Sequence, residues 1–289
     1  MTILAGFSTS RQSDAPINLA IRIAHSSGES IVAAAVAERS WPPRSDPVED
    51  EYLTYVCDQA RASLEQVIGR VGGGLDIPVV IHQATSIPVG LLELAEEYRA
   101  DVVVVGSSSS GLLGRVTLGS VTDRLVHTAA LPVAIAPRGY PATPAPLSRI
   151  TAAYGGEADL NGLLAAAADL ATAWSLPLRI VSFTVRPAWF GSTASGEDLV
   201  VSHWSERMQE EIAAQLDDIR QRLAVPDVDV VVGSGRSWRD AVESVAWDAG
   251  DLLALGSGTA GDLSHVFLGS AAARIVRHSP VPVLILPRQ

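Results

Sequence analysis

Apolar residues in this chain fall in short unbroken runs, separated by longer stretches in which they recur every three or four positions. The unbroken runs are Ile3–Phe7, Ser30–Val36, Pro78–His82, Val102–Val105 and Val133–Ala136, with a later set at 149–154, 178–184, 228–232, 251–255 and 282–286. Runs of this length that do not alternate in polarity predict strands covered on both faces. The intervening stretches at 14–27, 50–70, 87–99 and 119–129, then 158–174, 202–223, 237–249 and 269–278, predict helices. Strands alternating with crossovers this long predict parallel sheets with right-handed connections. The expected fold class is therefore α/β, with two tandem doubly wound five-stranded sheets of Rossmann-like build.

The two sets are copies of one another. Gly106, Gly119, Ser120 and Pro132 recur at a constant offset as Gly256, Gly269, Ser270 and Pro282. Asp101 recurs as Asp251, "LPVAIAPR" (131–138) as "VPVLILPR" (281–288), and "TILAGFSTS" (2–10) as "RITAAYGGE" (149–157). The segment "GYPATPAPLS" (139–148) reads as a linker, which predicts domains at 1–145 and 146–289. The closing strands are short, apolar and bounded by proline, and one ending a sheet alone would be an open edge. The expectation is that they pair with each other within the chain, leaving room for a homodimer through a further surface.

Each copy leaves a buried strand into a small, hydroxyl-rich loop. The pattern is Gly, two residues, a hydroxyl residue, nine residues, then Gly-Ser: Gly106, Ser109, Gly119, Ser120, and Gly256, Thr259, Gly269, Ser270. Glycine lets backbone turn sharply and approach a ligand closely. Gly-Ser before a helix places unpaired N–H groups and a positive dipole end at the carboxyl end of a strand, where an anion would sit. One such contact contributes only about 0.3–2 kcal/mol, whereas micromolar binding needs roughly 8 kcal/mol. A nucleotide held there would have to bury its purine elsewhere. The same pattern also serves a compact connection with no ligand.

Rival phosphate motifs fail. Gly106 and Gly111 have P-loop spacing, but Leu112 and Leu113 follow where Lys and Ser/Thr belong. A dinucleotide fingerprint would follow the first strand, where "AGFSTS" and "AYGGEA" stand instead.

The doubled loop, the strands "DVVVVGS" and "DLLALGS" and the closing "PVAIAP" and "PVLILP" together resemble universal stress proteins, over essentially the whole chain. The resemblance implies a strand order 3-2-1-4-5 in each domain, pairing through the last strand, and ATP, with or without Mg2+, bound by members whose loop carries a second glycine. It implies nucleotide contacts at Gly106, Ser107, Ser109, Gly119, Ser120 and Val121, and at Gly256, Ser257, Thr259, Gly269 and Ser270. Ser8 would stand at the nucleoside end, and Val36 and Val185 beside the adenine. Two departures stand out. The second glycine is Ser109 or Thr259, and the aspartate of ATP-binding relatives at the end of the first strand is Ser8 or Gly155.

Composition narrows the alternatives. The net charge of −11 argues against nucleic acid or an anionic membrane surface as partner. All 21 basic residues are arginine, which removes lysine-based chemistry. Cys57 stands alone, consistent with a reducing cytoplasm, and "MTILAGFSTS" does not read as a signal peptide. The histidines lack metal-ligand spacing, and no Gly-x-Ser-x-Gly elbow anchors a triad. "YGGEAD" (154–159) has Tyr154 and Ala158 where a pyrophosphatase loop has its first serine and its aspartate. Arg115 and His265 hold equivalent places in the loops, either reaching over a phosphate or solvated, and His127 and His278 end matching helices. Loops 37–52 and 186–204 each carry tryptophan and either close over a ligand or form surface excursions. Two functions follow: a cytoplasmic stress-response protein binding ATP as a regulatory ligand, with slow or no hydrolysis, or a nucleotide-free scaffold acting through protein contacts.

Overall fold

The computed structural model describes residues 2–9, 13–39, 47–155, 162–185, 228–259 and 266–287, together with Arg207 and Glu210. The first half runs β1 (Thr2–Phe7), α1 (Ala15–Ser27), β2 (Ser30–Glu38), α2 (Pro47–Val71), β3 (Val79–Ala84), α3 (Ile87–Glu97), β4 (Ala100–Gly106), α4 (Ser120–Thr128) and β5 (Val133–Ala136). The second runs β6 (Arg149–Tyr154), α5 (Leu163–Ala173), β7 (Leu178–Val185), β8 (Val228–Gly235), α6 (Trp238–Glu243) and β9 (Asp251–Gly256). It continues through β10 (Gly258–Thr259), β11 (Val266–Phe267), α7 (Ser270–His278) and β12 (Val283–Leu286). The helix expected at 202–223 lies outside the described residues, Arg207 and Glu210 excepted.

The unbroken apolar runs arise because both sheet faces are covered. Along β4, Val102 and Val104 enter one core while Val103 and Val105 enter the other. The first core also takes Ile17 and Ile23 of α1, Leu64 of α2 and Leu164 of α5; the second takes Leu94 of α3, Leu125 of α4 and Ile275 of α7. Both cores span the two halves.

The strands form one ten-stranded sheet, ordered β3-β2-β1-β4-β5-β12-β9-β6-β7-β8. Each half keeps the order 3-2-1-4-5 outward from its third strand, and pairing within each half is parallel. The halves join through β5 and β12, antiparallel, with Val283 opposite Ile135 and Ile285 opposite Val133. The two closing strands thus cover each other's edges, as expected from their sequence.

The connection from β5 to β6 is docked rather than loose. Arg22 of α1, 5% exposed, donates to the Pro146 carbonyl at 3.2 Å, to the Tyr140 hydroxyl at 2.8 Å and to the Ala249 carbonyl. Asn18 donates to the Tyr140 carbonyl at 3.0 Å, and the Leu147 amide donates to the Ser26 hydroxyl at 2.8 Å. The repeated aspartate also has a structural use. Asp101 accepts the Thr2 amide at 2.7 Å, and the fully buried Asp251 pairs Arg149 and Arg179, both at 2.9 Å. Each ties the start of the fourth strand of its half to the start of the first.

Candidate phosphate loop and its copy

The loop after β4 spends many of its own amides. Ser107 N–H donates to the Ala136 carbonyl at 3.0 Å, Ser108 N–H to Thr117 at 2.7 Å, Gly111 N–H to Ser108 at 3.2 Å and Gly114 N–H to Arg138 at 2.8 Å. The Ser107 hydroxyl donates to the Ala136 carbonyl at 2.9 Å and accepts the Thr117 amide at 3.3 Å. Ser108 and Ser110 share a hydroxyl contact at 2.9 Å, and Arg138 donates to the Gly111 carbonyl at 2.7 Å. Ser107, Ser108 and Ser110 therefore brace the loop; Ser109 is exposed.

The copy after β9 closes in the same way. Ser257 N–H and its hydroxyl both go to the Leu286 carbonyl, at 3.0 and 3.2 Å. Gly258 stands opposite Phe267 and Thr259 opposite Val266, extending the closure that Ser108 and Thr117 make in the first half. His265 lies outside the described residues. At Ser107 and Ser257 the amides close the loop onto the neighbouring closing strand, and at Ser108 onto the loop's own Thr117.

The helix ends differ. Gly119 caps α4, whose first intrahelical bond is Asp123 N–H to the Gly119 carbonyl at 2.8 Å. Ser120, Val121 and Thr122 precede that ladder, so their N–H groups have no carbonyl in the helix to receive them. The Thr122 hydroxyl binds the Gly106 carbonyl at 3.0 Å, fixing this helix start against the end of β4. In the copy Gly269 caps α7, Ser270 begins it, and the first bond is Ala273 N–H to Gly269 at 2.9 Å. Neither Ser120 nor Ser270 is a cap; glycine takes that place in both.

The strand-end glycines face helix starts. A Cβ on Gly106 would lie 3.2 Å from Pro16 Cγ at the start of α1, and one on Gly256 would lie 3.6 Å from Leu163 Cβ at the start of α5. Ser8 is half-buried just beyond β1, and Gly155 is exposed just beyond β6. Val36 packs against α3, where a Cβ on Gly90 would meet its Cγ1 at 2.7 Å. Val185 ends β7 opposite Gly235. Residues 40–46 of loop 37–52 and all of 186–204 lie outside the described residues.

Arg115 takes neither role that sequence suggests. Its guanidinium crosses to the second half and donates to the His278 carbonyl and to Glu243, both at 2.5 Å. Burial lowers the His278 pKa, and the Arg115 charge adds to the effect. Sequence reasoning also passed over Arg138, although the repeated Pro-Arg that ends both closing strands is a visible signal for it.

Fold and loop together define a class: tandem α/β domains, each with a Gly-Ser helix start at the carboxyl end of its fourth strand. The universal stress protein family pattern matches residues 1–137 and again 146–287, so the chain belongs to that family. It is 33% identical over 296 aligned positions to a universal stress protein of Mycobacterium tuberculosis strain H37Rv, covering 99% of this chain and 100% of that one. A second from the same strain is 29% identical over 281 positions, covering 93% and 87%. The fold matches a solved universal stress protein from Archaeoglobus fulgidus with TM-score 0.56 at 17% identity, covering 99% of this chain and 96% of that one.

Proposed function

We propose that this protein binds ATP, with or without Mg2+, as a regulatory ligand in a cytoplasmic stress response and does not turn it over. The carrying observation is the start of α4: the Ser120, Val121 and Thr122 amides lie ahead of the helical ladder while Thr122 anchors them to the end of β4. The start of α7 repeats the glycine cap and the amides ahead of the ladder, but Ala272 stands where Thr122 makes the anchor. Phosphate oxygens meet those amides and the dipole end. With the dipole contributing at most about 2 kcal/mol, adenine burial has to supply ~6 kcal/mol for micromolar affinity. The lone cysteine fits a reducing compartment.

The test is calorimetric titration of ATP into the full chain, into Ser120→Glu, and into the double variant Ser120→Glu/Ser270→Glu. A glutamate at a helix start suits the dipole, so each variant keeps its fold, while its charge occupies the phosphate position. We expect saturable binding below about millimolar, weakened at least tenfold in the double variant. No saturation, or binding indifferent to both glutamates, overturns the reading.

A second reading, a nucleotide-free scaffold, is favoured by the closed amides of Ser107, Ser108 and Ser257 and by Ser109 and Thr259 in place of glycine. It predicts a melting temperature unchanged by excess ATP.

A further inference from the structure

A cavity of about 190 Å3 lies where the two halves meet, at the opposite end of β4 from the Gly/Ser loop. The first half contributes Glu29, Asp101 and Val102; the second contributes Leu170 and Trp174 of the α5 end and Leu284 of β12. Its walls are apolar apart from two groups, and both charged residues lining it are acidic. Glu29 Oε2 is buried without a hydrogen-bond partner. The Trp174 indole lines the same cavity, and Asp101 spends Oδ2 on the Thr2 amide.

A buried carboxylate oxygen without a donor costs free energy, and a second negative charge beside it adds to that cost. The complement is an N–H donor carrying positive charge on an apolar body. A cavity of roughly 150 Å3 accommodates one benzene ring, so one ring on a short chain suits this one. An indole in the wall favours a cation further. We propose that this cavity binds a small amphiphilic ammonium ion, an alkyl or arylalkyl amine, with its nitrogen on Glu29 and its apolar body between Val102, Leu170, Trp174 and Leu284. Burial, and then the Asp101 charge, raise the Glu29 pKa. Both halves line the site, so an occupant would strengthen their contact.

The probe is phenethylammonium, titrated calorimetrically into the full chain, with 3-phenylpropionate and ethylbenzene as anionic and neutral controls of similar shape. We expect saturable binding of the amine and a raised melting temperature, with both controls at least tenfold weaker. Glu29→Gln should lose at least tenfold in amine affinity. Ala173→Phe, at an exposed position on the rim, should block entry without disturbing the fold. Ser120→Glu should leave amine binding unchanged, separating this site from the nucleotide reading. Equal binding of ethylbenzene, full retention in Glu29→Gln, or no binding of the amine at millimolar concentration overturns the proposal.

Discussion

At the scale of single residues, Arg115 shows how a loop charge becomes part of the contact between halves. Its guanidinium donates to the His278 carbonyl and to Glu243, and its side chain is 24% exposed. Arg115→Gln leaves the carbonyl without its charged donor, at a cost of about 1–2 kcal/mol. The same substitution bears on titration. Burial and the Arg115 charge depress the His278 pKa below 6.5, so the fold prefers the neutral ring. The unfolded chain binds that proton first, so His278 contributes stability above pH 6.5 that is lost as pH falls through that value towards the depressed folded pKa. We expect NMR titration of His278 to move towards 6.5 in Arg115→Gln, and the loss of stability in acid, followed by urea midpoints, to become shallower. An unmoved titration would show that burial, with Arg277 and Arg239, sets the shift without Arg115. Glu29 runs the other way. Its raised pKa makes the ionised form unfavourable in the fold, so its contribution declines as pH rises through 4.5 and above. Glu29→Gln is accordingly expected to be more stable than the parent at neutral pH, with the difference gone in acid; denaturant midpoints at the two pH values check it.

At the scale of elements, α3 and α5 end in the same unfavourable way. Each is followed by one capping aromatic, Tyr98 or Trp174, and then by a non-glycine residue in the left-handed region, Arg99 at φ 49° and Ser175 at φ 53°. That conformation costs about 1–2 kcal/mol where the residue carries a Cβ. Arg99→Gly and Ser175→Gly are each expected to stabilise the chain by about 1 kcal/mol, read as a higher denaturant midpoint; a lower midpoint would show that the side chain earns its place. Such stops are hard to read in sequence because the usual glycine signal is absent, and the stretch 87–99 indeed ends as a helix at Glu97. The stretch 237–249 fails for another reason. Ser237 and Asp240 form a complete capping box, but α6 stops at Glu243 because the Ser244 hydroxyl takes the Ala241 carbonyl and the Trp247 indole takes the Val242 carbonyl. Those carbonyls would otherwise receive the next amides of the helix. Strand positions were far more legible, since burial on both faces writes unbroken valine and alanine runs directly into the sequence. The Gly-Ser helix starts were legible for a local reason, because three or four adjacent residues define an N-terminus. The partners of Arg115 and Arg22 were not, since each contact joins residues far apart in the chain with no periodic trace.

At the scale of the whole molecule, what matters is whether two copies behave as one body. The β5–β12 pairing carries the sheet through the boundary, and each core draws residues from both halves. A repeat whose copies share backbone ladders and core loses independence, because unfolding one half exposes apolar area and a sheet edge on the other. Arg22 adds a polar clamp at the same boundary, holding the Pro146 and Ala249 carbonyls and the Tyr140 hydroxyl with one buried guanidinium. Arg22→Leu keeps the bulk and strands three acceptors, a loss of about 3 kcal/mol, which for a chain of this size corresponds to a melting temperature roughly 5 °C lower. Scanning calorimetry of the full chain is expected to give a single transition with matching calorimetric and van't Hoff enthalpies, and Arg22→Leu to shift that transition without splitting it. Two resolved transitions in the parent chain would mean that the seam is too weak to couple the halves. An amine bound between them would then stabilise only the contact and not the fold. A ligand at α4 would in turn be felt by the first half alone, because Arg115 could not transmit it across a boundary that opens first.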